Sequence, residues 1–122
     1  MTISQIKTLT AVVDDQERAK RFYTEALGFA VRTDVTMGDN RWLEVAPGDS
    51  GTAIVLHTPF PGANAGTLAG VVLGSDDLDG TVTRLRDAGT EVGGPEDMPW
   101  GRQATFADPD GNSYVLVANE TR

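Results

Sequence analysis

Residues Asp14–Phe29, DDQERAKRFYTEALGF, decide the fold. Asp14 and Asp15 offer N-cap oxygens, and Glu17 stands three beyond Asp14 as in a capping box. Ala19, Phe22, Tyr23, Ala26 and Leu27 recur at spacings of three and four, which puts one apolar stripe on a helix. Gly28 then occupies the place where left-handed backbone closes a helix. The stretch predicts an amphipathic helix with both its start and its stop encoded.

Before this helix, Ile6–Val13 is rich in Thr, Val and Ile and predicts a strand. After it come three strand-like runs, Phe29–Val35, Arg41–Val45 and Thr52–His57. Gly38-Asp39-Asn40 and Pro47–Gly51 separate them with turn chemistry. Thr58–Thr67 holds two prolines and two glycines and reads as a connector. The order then repeats. Leu68–Leu73 predicts a strand, and Ser75-Asp76-Asp77 opens a helix with Leu78, Val82, Leu85 and Ala88 on one face, ended by Gly89. Strands follow near Glu91-Val92, at Arg102–Ala107 and at Ser113–Val117, the last two joined by Asp108-Pro109-Asp110-Gly111, a type I turn sequence.

A shift of 61 positions tests the repeat: it carries Asp15 to Asp76, Gly28 to Gly89, Val31 to Val92 and Thr52–His57 onto Ser113–Ala118. The expected architecture is α+β, a single domain over 1–122 with module one at about 1–58, a connector at 59–67 and module two at about 68–122. Each module is βαβββ. With a helix on one side of each sheet, the two modules can pair as a curved, cleft-enclosing mixed sheet with the helices outside.

The 122 residues carry a formal net charge of −8 and no cysteine. An acidic surface repels phosphate backbones, which speaks against nucleic acid and anionic membranes as partners. An acidic cleft would favour a cationic ligand, while an acidic surface elsewhere only aids solubility. Without cysteine there is no disulfide, thiolate nucleophile or thiolate ligand. MTISQIKTLT lacks the pattern of a signal peptide, and no apolar run approaches the roughly 20 residues of a membrane span. The simplest expectation is a cytoplasmic protein.

The stretch Asp15–Phe29 resembles the "D…A..FY...LGF" helix of the vicinal oxygen chelate superfamily, the glyoxalase I, bleomycin-resistance and extradiol-dioxygenase group. Phe106–Asn112 (FADPDGN) is similar to that group's "F.DPDGN" turn before the last strand. Asp77-Leu78-Asp79 with Leu85–Gly89 is similar to its second helix. The resemblance covers nearly the whole chain and implies paired βαβββ modules, usually in a dimer.

The resemblance also implies four inner-strand positions for a catalytic metal, normally held by His, Glu or Gln. Those positions fall on Thr8, Val55, Gly70 and Val115. Thr is a poor ligand, and Gly and Val have no side-chain donor, whereas a borderline or hard cation wants three or four oxygen or imidazole ligands. No metal site and no cofactor are therefore expected, and the glyoxalase and dioxygenase reactions would lose their Lewis acid.

Other residues suit a small organic ligand. His57, the one histidine, shares a face with Val55 and is a candidate hydrogen-bonding group or general base, or else an exposed strand-end residue. Trp42, Trp100 and Phe60 offer flat surfaces for stacking, Trp42 having core or dimer packing as its alternative. Thr8 and Thr10 share a face and would line it with hydroxyls. Glu44 shares a face with Trp42 and could partner a cationic group. Arg102 and Arg41 could bind a ligand anion, or simply form surface salt bridges. No glycine cluster links a strand to a helix in the way a nucleotide site needs.

Together these features lead to a metal-independent protein of the glyoxalase/bleomycin-resistance type that binds and sequesters a small molecule such as an antibiotic. The ligand-binding residues expected are Thr8, Thr10, Trp42, His57, Phe60, Trp100 and Arg102. The alternative is a metal-independent lyase or isomerase with His57 as base, and a third reading is a purely structural dimeric module.

Overall fold

The computed structural model describes residues 2–48 and 50–119. Its elements are β1 (Thr8–Val12), α1 (Gln16–Arg21) running into a wide turn at Phe22–Ala26, β2 (Ala30–Met37), β3 (Asn40–Ala46) and β4 (Ala53–His57). The second set is β5 (Val71–Ser75), α2 (Leu78–Asp87), β6 (Val92–Met98), β7 (Gly101–Ala107) and β8 (Ser113–Ala118). Each set forms a four-stranded mixed sheet, ordered β1-β4-β3-β2 in sheet 1 and β5-β8-β7-β6 in sheet 2. The parallel pairs are β1 with β4 and β5 with β8, since the helix in each module returns the chain to the same direction.

Several local expectations are corrected. Asp15 alone caps α1, accepting the Arg18 N–H at 3.1 Å, while Asp14 donates its own N–H to Asp110 Oδ1. Glu17 does not close a capping box; it pairs with Arg41 Nη1 at 2.7 Å. Past Arg21 the helix widens into a π-helical turn, the Leu27 N–H reaching Phe22 O at 3.2 Å. Gly28, at φ 75°, then lets the Phe29 N–H return to Tyr23 O at 2.9 Å. The strand expected at Leu68–Leu73 starts three residues later, because Leu68 bonds outside the ladder to Asn112 Oδ1 and Ser113 N, and Gly70 turns at φ 84°. β6 extends through Gly93-Gly94-Pro95 because it is an edge strand, where a register shift between Gly93 and Glu96 absorbs the irregularity. α2 buries Leu78, Val82 and Leu85 as expected, with Asp77 as its cap, but leaves Ala88 exposed.

The helix-bearing faces of the two sheets share one core. Ala11, Leu43, Val45, Ile54 and Leu56 of sheet 1 join Ala104, Phe106, Tyr114 and Leu116 of sheet 2 around Ala19, Tyr23, Val82 and Leu85 of the helices. Strand alternation sends the intervening residues to the opposite face of each sheet, which bears no helix. We call these the open faces.

A buried polar cluster ties the modules together. Asp108 Oδ1 accepts the N–H groups of Asp110 and Asn112, and its Oδ2 accepts Tyr23 O–H at 2.7 Å and Asn112 Nδ2 at 2.9 Å. Asn112 also donates to Val12 O and accepts from Leu68 N–H. Tyr114 O–H lies 2.6 Å from that of Tyr23. Every polar atom of Asp108 and Asn112 is thereby matched, which is what allows both side chains to be buried in an apolar setting. Burial pushes both tyrosine hydroxyls well above their ordinary pKa, with the Asp108 charge adding to the shift. The residues that carry the family resemblance, Tyr23 and the Asp108–Asn112 turn, thus hold the two halves in register.

Candidate functional site

The open face of sheet 1 collects most of the candidate residues. The register sets Thr10 beside Val55, Val55 opposite Glu44, and Glu44 opposite Thr33, a row running across all four strands. Val12 lies beside His57 and Thr8 beside Ala53 on the same face. Thr8 and Thr10 therefore share the open face, with Thr10 the one adjacent to Val55.

At one end of this face three rings meet edge to face. Trp42 and His57 have centroids 6.2 Å apart at 70°, and His57 and Phe60 lie 5.3 Å apart at 87°. β3 and β4 deliver Trp42 and His57 to neighbouring positions, and a turn closed by bonds between Phe60 and Ala63 brings the third ring over. Trp42 and Phe60 stay partly exposed, 38% and 46%, so their ring surfaces remain available for stacking. Trp42 Nε1 donates to Glu44 Oε2 at 2.6 Å. His57 Nδ1 lies 2.7 Å from Thr58 O, and Nε2 lies 3.2 Å from Asn40 Oδ1. If Nδ1–H donates to the carbonyl, Nε2 is an acceptor facing the Asn40 oxygen, and a hydrogen bond there needs the Asn40 amide turned to present its N–H.

Trp100 and Arg102 stand apart from this cluster. Trp100 caps the β6–β7 hairpin of sheet 2, 71% exposed, with its Nε1 donating to Gln103 at 2.9 Å. Arg102 lies on the helix-bearing face of β7, where it pairs with Asp97 at 2.9 Å and Asp79 at 3.1 Å. Arg41 is held in the same way, bidentate on Asp34 at 2.8 Å and on Glu17 at 2.7 Å. Hydrogen bonds from Arg41 and Lys20 keep the Asp34 carboxyl well below the usual carboxylate range. Both arginines brace a helix to an edge strand, and neither is free to take a ligand anion.

The positions implied for a metal do not suit one. Thr8 offers one hydroxyl, Val55 and Val115 offer nothing, and Val55 is fully buried. Among the described residues, no three His, Cys, Asp or Glu side chains come together. The donor set does not fit a divalent cation. A cavity of about 380 Å³ opens at the seam of the modules, lined by Leu27, Phe29, Val72, Leu73, Ser75 and Phe106 among others. It holds none of the aromatic cluster, and its Ser75 and Thr81 hydroxyls already bond each other at 3.0 Å.

Comparison with known proteins bears directly on this architecture. Residues 5–116 match the family model of the Glyoxalase/Bleomycin resistance protein/Dioxygenase superfamily. The chain belongs to this superfamily. Among solved members, TnmS3, an antibiotic binding protein from Streptomyces sp. CB03234, is 43% identical with a TM-score of 0.92, covering 98% of this chain and 99% of that one. A superfamily member from Sphaerobacter thermophilus DSM 20745 is 34% identical with a TM-score of 0.87, covering 96% and 98%. The uncharacterized protein YetH of Bacillus subtilis (strain 168) is 37% identical over 117 residues, 93% of this chain and 98% of its own. Within the superfamily fold, no helix among the described residues is long and apolar enough to cross a membrane.

Sequence reasoning paired Thr8 with Thr10, Trp42 with Glu44 and His57 with Val55; the strand register is what brings these pairs to one face. That reasoning missed Asn40, whose signal was only its place at the start of β3, in phase with Trp42.

Proposed function

We propose that this protein is a cytoplasmic homodimer that binds and sequesters a small aromatic molecule, such as an antibiotic, without a protein-held metal. The observation that carries this reading is the Trp42–His57–Phe60 cluster on the open face of sheet 1, beside Glu44, Thr10 and Thr8. Flat rings with a few polar groups are what a drug-sized aromatic ligand needs. The likeness to an antibiotic binding protein at 43% identity supports the same class of ligand.

The open faces lie outside the shared core, so one chain does not close its own sheets around a ligand. A second copy supplies the missing wall, its Trp100 hairpin and sheet 2 facing the sheet 1 cluster. Holding fits better than transforming. His57, the one candidate base, faces the Thr58 carbonyl and the Asn40 side chain, and among the described residues it has no carboxylate partner to orient it.

The test is tryptophan fluorescence titrated with a panel of aromatic antibiotics, with the compound recovered and analysed afterwards. Saturable quenching, one molecule per site and unchanged compound are expected, with the protein sedimenting at twice the chain mass. No saturable binding by any member, or a chemically altered compound, would overturn the reading.

A further inference from the structure

We propose that Glu44 makes the site selective for ligands carrying a positive charge on an aromatic frame, an inference that rests on the binding function proposed above. Glu44 is half-buried near the middle of the open face, in the row formed with Thr10, Val55 and Thr33. Its one hydrogen bond comes from the neutral Trp42 indole. An ionised carboxylate has about four acceptor sites, so most of its capacity is unused.

Buried Asp108 accepts hydrogen bonds on both oxygens, and the ion pairs among the described residues go to other acids. Asp34 has Arg41 and Lys20, Glu17 has Arg41, Asp79 and Asp97 share Arg102, and Asp110 has Arg18. Glu44 has no cation among the described residues. Of the strand arginines, Arg41 and Arg102 lie on the helix-bearing faces, and Arg32, at the β2 bulge between Val31 and Thr33, donates to Gly48 O at 2.7 Å. Sheet 2 adds a second open-face carboxylate, Glu96, opposite Gln103. On sheet 1, His57 shares the open face with Glu44.

An anionic ligand would meet Glu44 with no compensating cation. A cation stacked on Trp42 gains twice, from the ring face and from the carboxylate bonded to that ring's N–H. The carboxylate, short of partners in the free protein, gains one on binding. Charge on the ligand is read at Glu44, and flatness at Trp42 and Phe60.

One tricyclic frame in three charge states separates these contributions: 9-aminoacridine as the cation, acridone as the neutral form and acridine-9-carboxylate as the anion. Binding is followed by tryptophan quenching at pH 7.5 and low salt. Wild type should bind the cation roughly tenfold more tightly than acridone, and the anion least. In Glu44→Gln, whose amide oxygen can still accept the Trp42 N–H, the three affinities should converge to within about threefold, the cation losing most. Equal binding of all three by wild type, or an ordering that survives Glu44→Gln, overturns the charge selectivity while leaving the binding function standing. Absence of binding by all three, together with a negative antibiotic panel, removes both.

Discussion

The two modules share one plan and differ in what they add to it. Under the shift of 61, Arg41 corresponds to Arg102, and each braces a helix to an edge-strand aspartate on the same side of its sheet. The open faces have diverged. Trp42 and Glu44 of sheet 1 correspond to Gln103 and Thr105 of sheet 2, whose face also carries Glu96, Val72, Val115 and Val117. The second module puts its distinctive chemistry into the Asp108–Asn112 turn instead, where the first has Pro47–Gly51. Bracing belongs to both halves, whereas the exposed aromatic cluster lies on the first and the clasp's carboxylate and amide come from the second.

The sharpest way to break this comparison is at the clasp. Asp108→Ala leaves the Tyr23 hydroxyl and the Asn112 amide without their acceptor in a buried setting, and should cost roughly 3–5 kcal/mol in urea unfolding. Pro47→Ala at the corresponding place should cost within about 0.5 kcal/mol. Comparable losses would mean that the turns are equivalent after all.

The next largest effect comes from alkali. The chain has two tyrosines, one per module, and both are buried in the clasp. Their folded pKa values are raised above the unfolded value of 10.0, so their contribution is complete below about pH 10 and falls as the pH rises beyond it. The slope should approach roughly 1.4 kcal/mol per pH unit for each tyrosine. Tyrosinate absorbance should appear together with the loss of circular dichroism; tyrosinate forming while the fold is intact would contradict the clasp.

The open faces are compared through binding. Trp42→Ala should weaken an aromatic ligand by roughly 10- to 100-fold, as loss of a central ring does. Gln103→Ala, its counterpart, should change affinity by less than about threefold. The smallest effect belongs to the shared braces. Arg41→Met should cost at most about 1 kcal/mol, since the pair is partly solvated, and should leave ligand affinity unchanged. Because Asp34 is held below the ordinary carboxylate range, its share of that brace is present at neutral pH and fades only as the pH falls below about 4.

The helix was legible in the sequence because its stripe, cap and closing glycine are local signals. So was the repeat. The widened turn at Phe22–Ala26 was not, having no local signal, and the Tyr23 hydroxyl within it bonds Asp108, 85 residues away in sequence. Leu68 looked like a strand residue by composition and was taken out of the ladder by Asn112, another distant partner. Alternation puts Trp42 with Glu44 and His57 with Val55, but bringing the two pairs together needs the β3–β4 register. Arg102 could have been assigned to the core side from Ala104 and Phe106; its partners, from α2 and β6, were not visible in sequence.

The clasp has one further consequence, for the duplication that the repeat implies. It is built from unlike parts: the position matching Tyr23 in the second half is Arg84, and the position matching Asp108 in the first is Pro47. A chain made of two first halves would bring its tyrosine against a turn with proline at the place of the clasp's carboxylate. The halves have ceased to be interchangeable copies and become complementary fragments, so neither can be doubled to stand in for the whole.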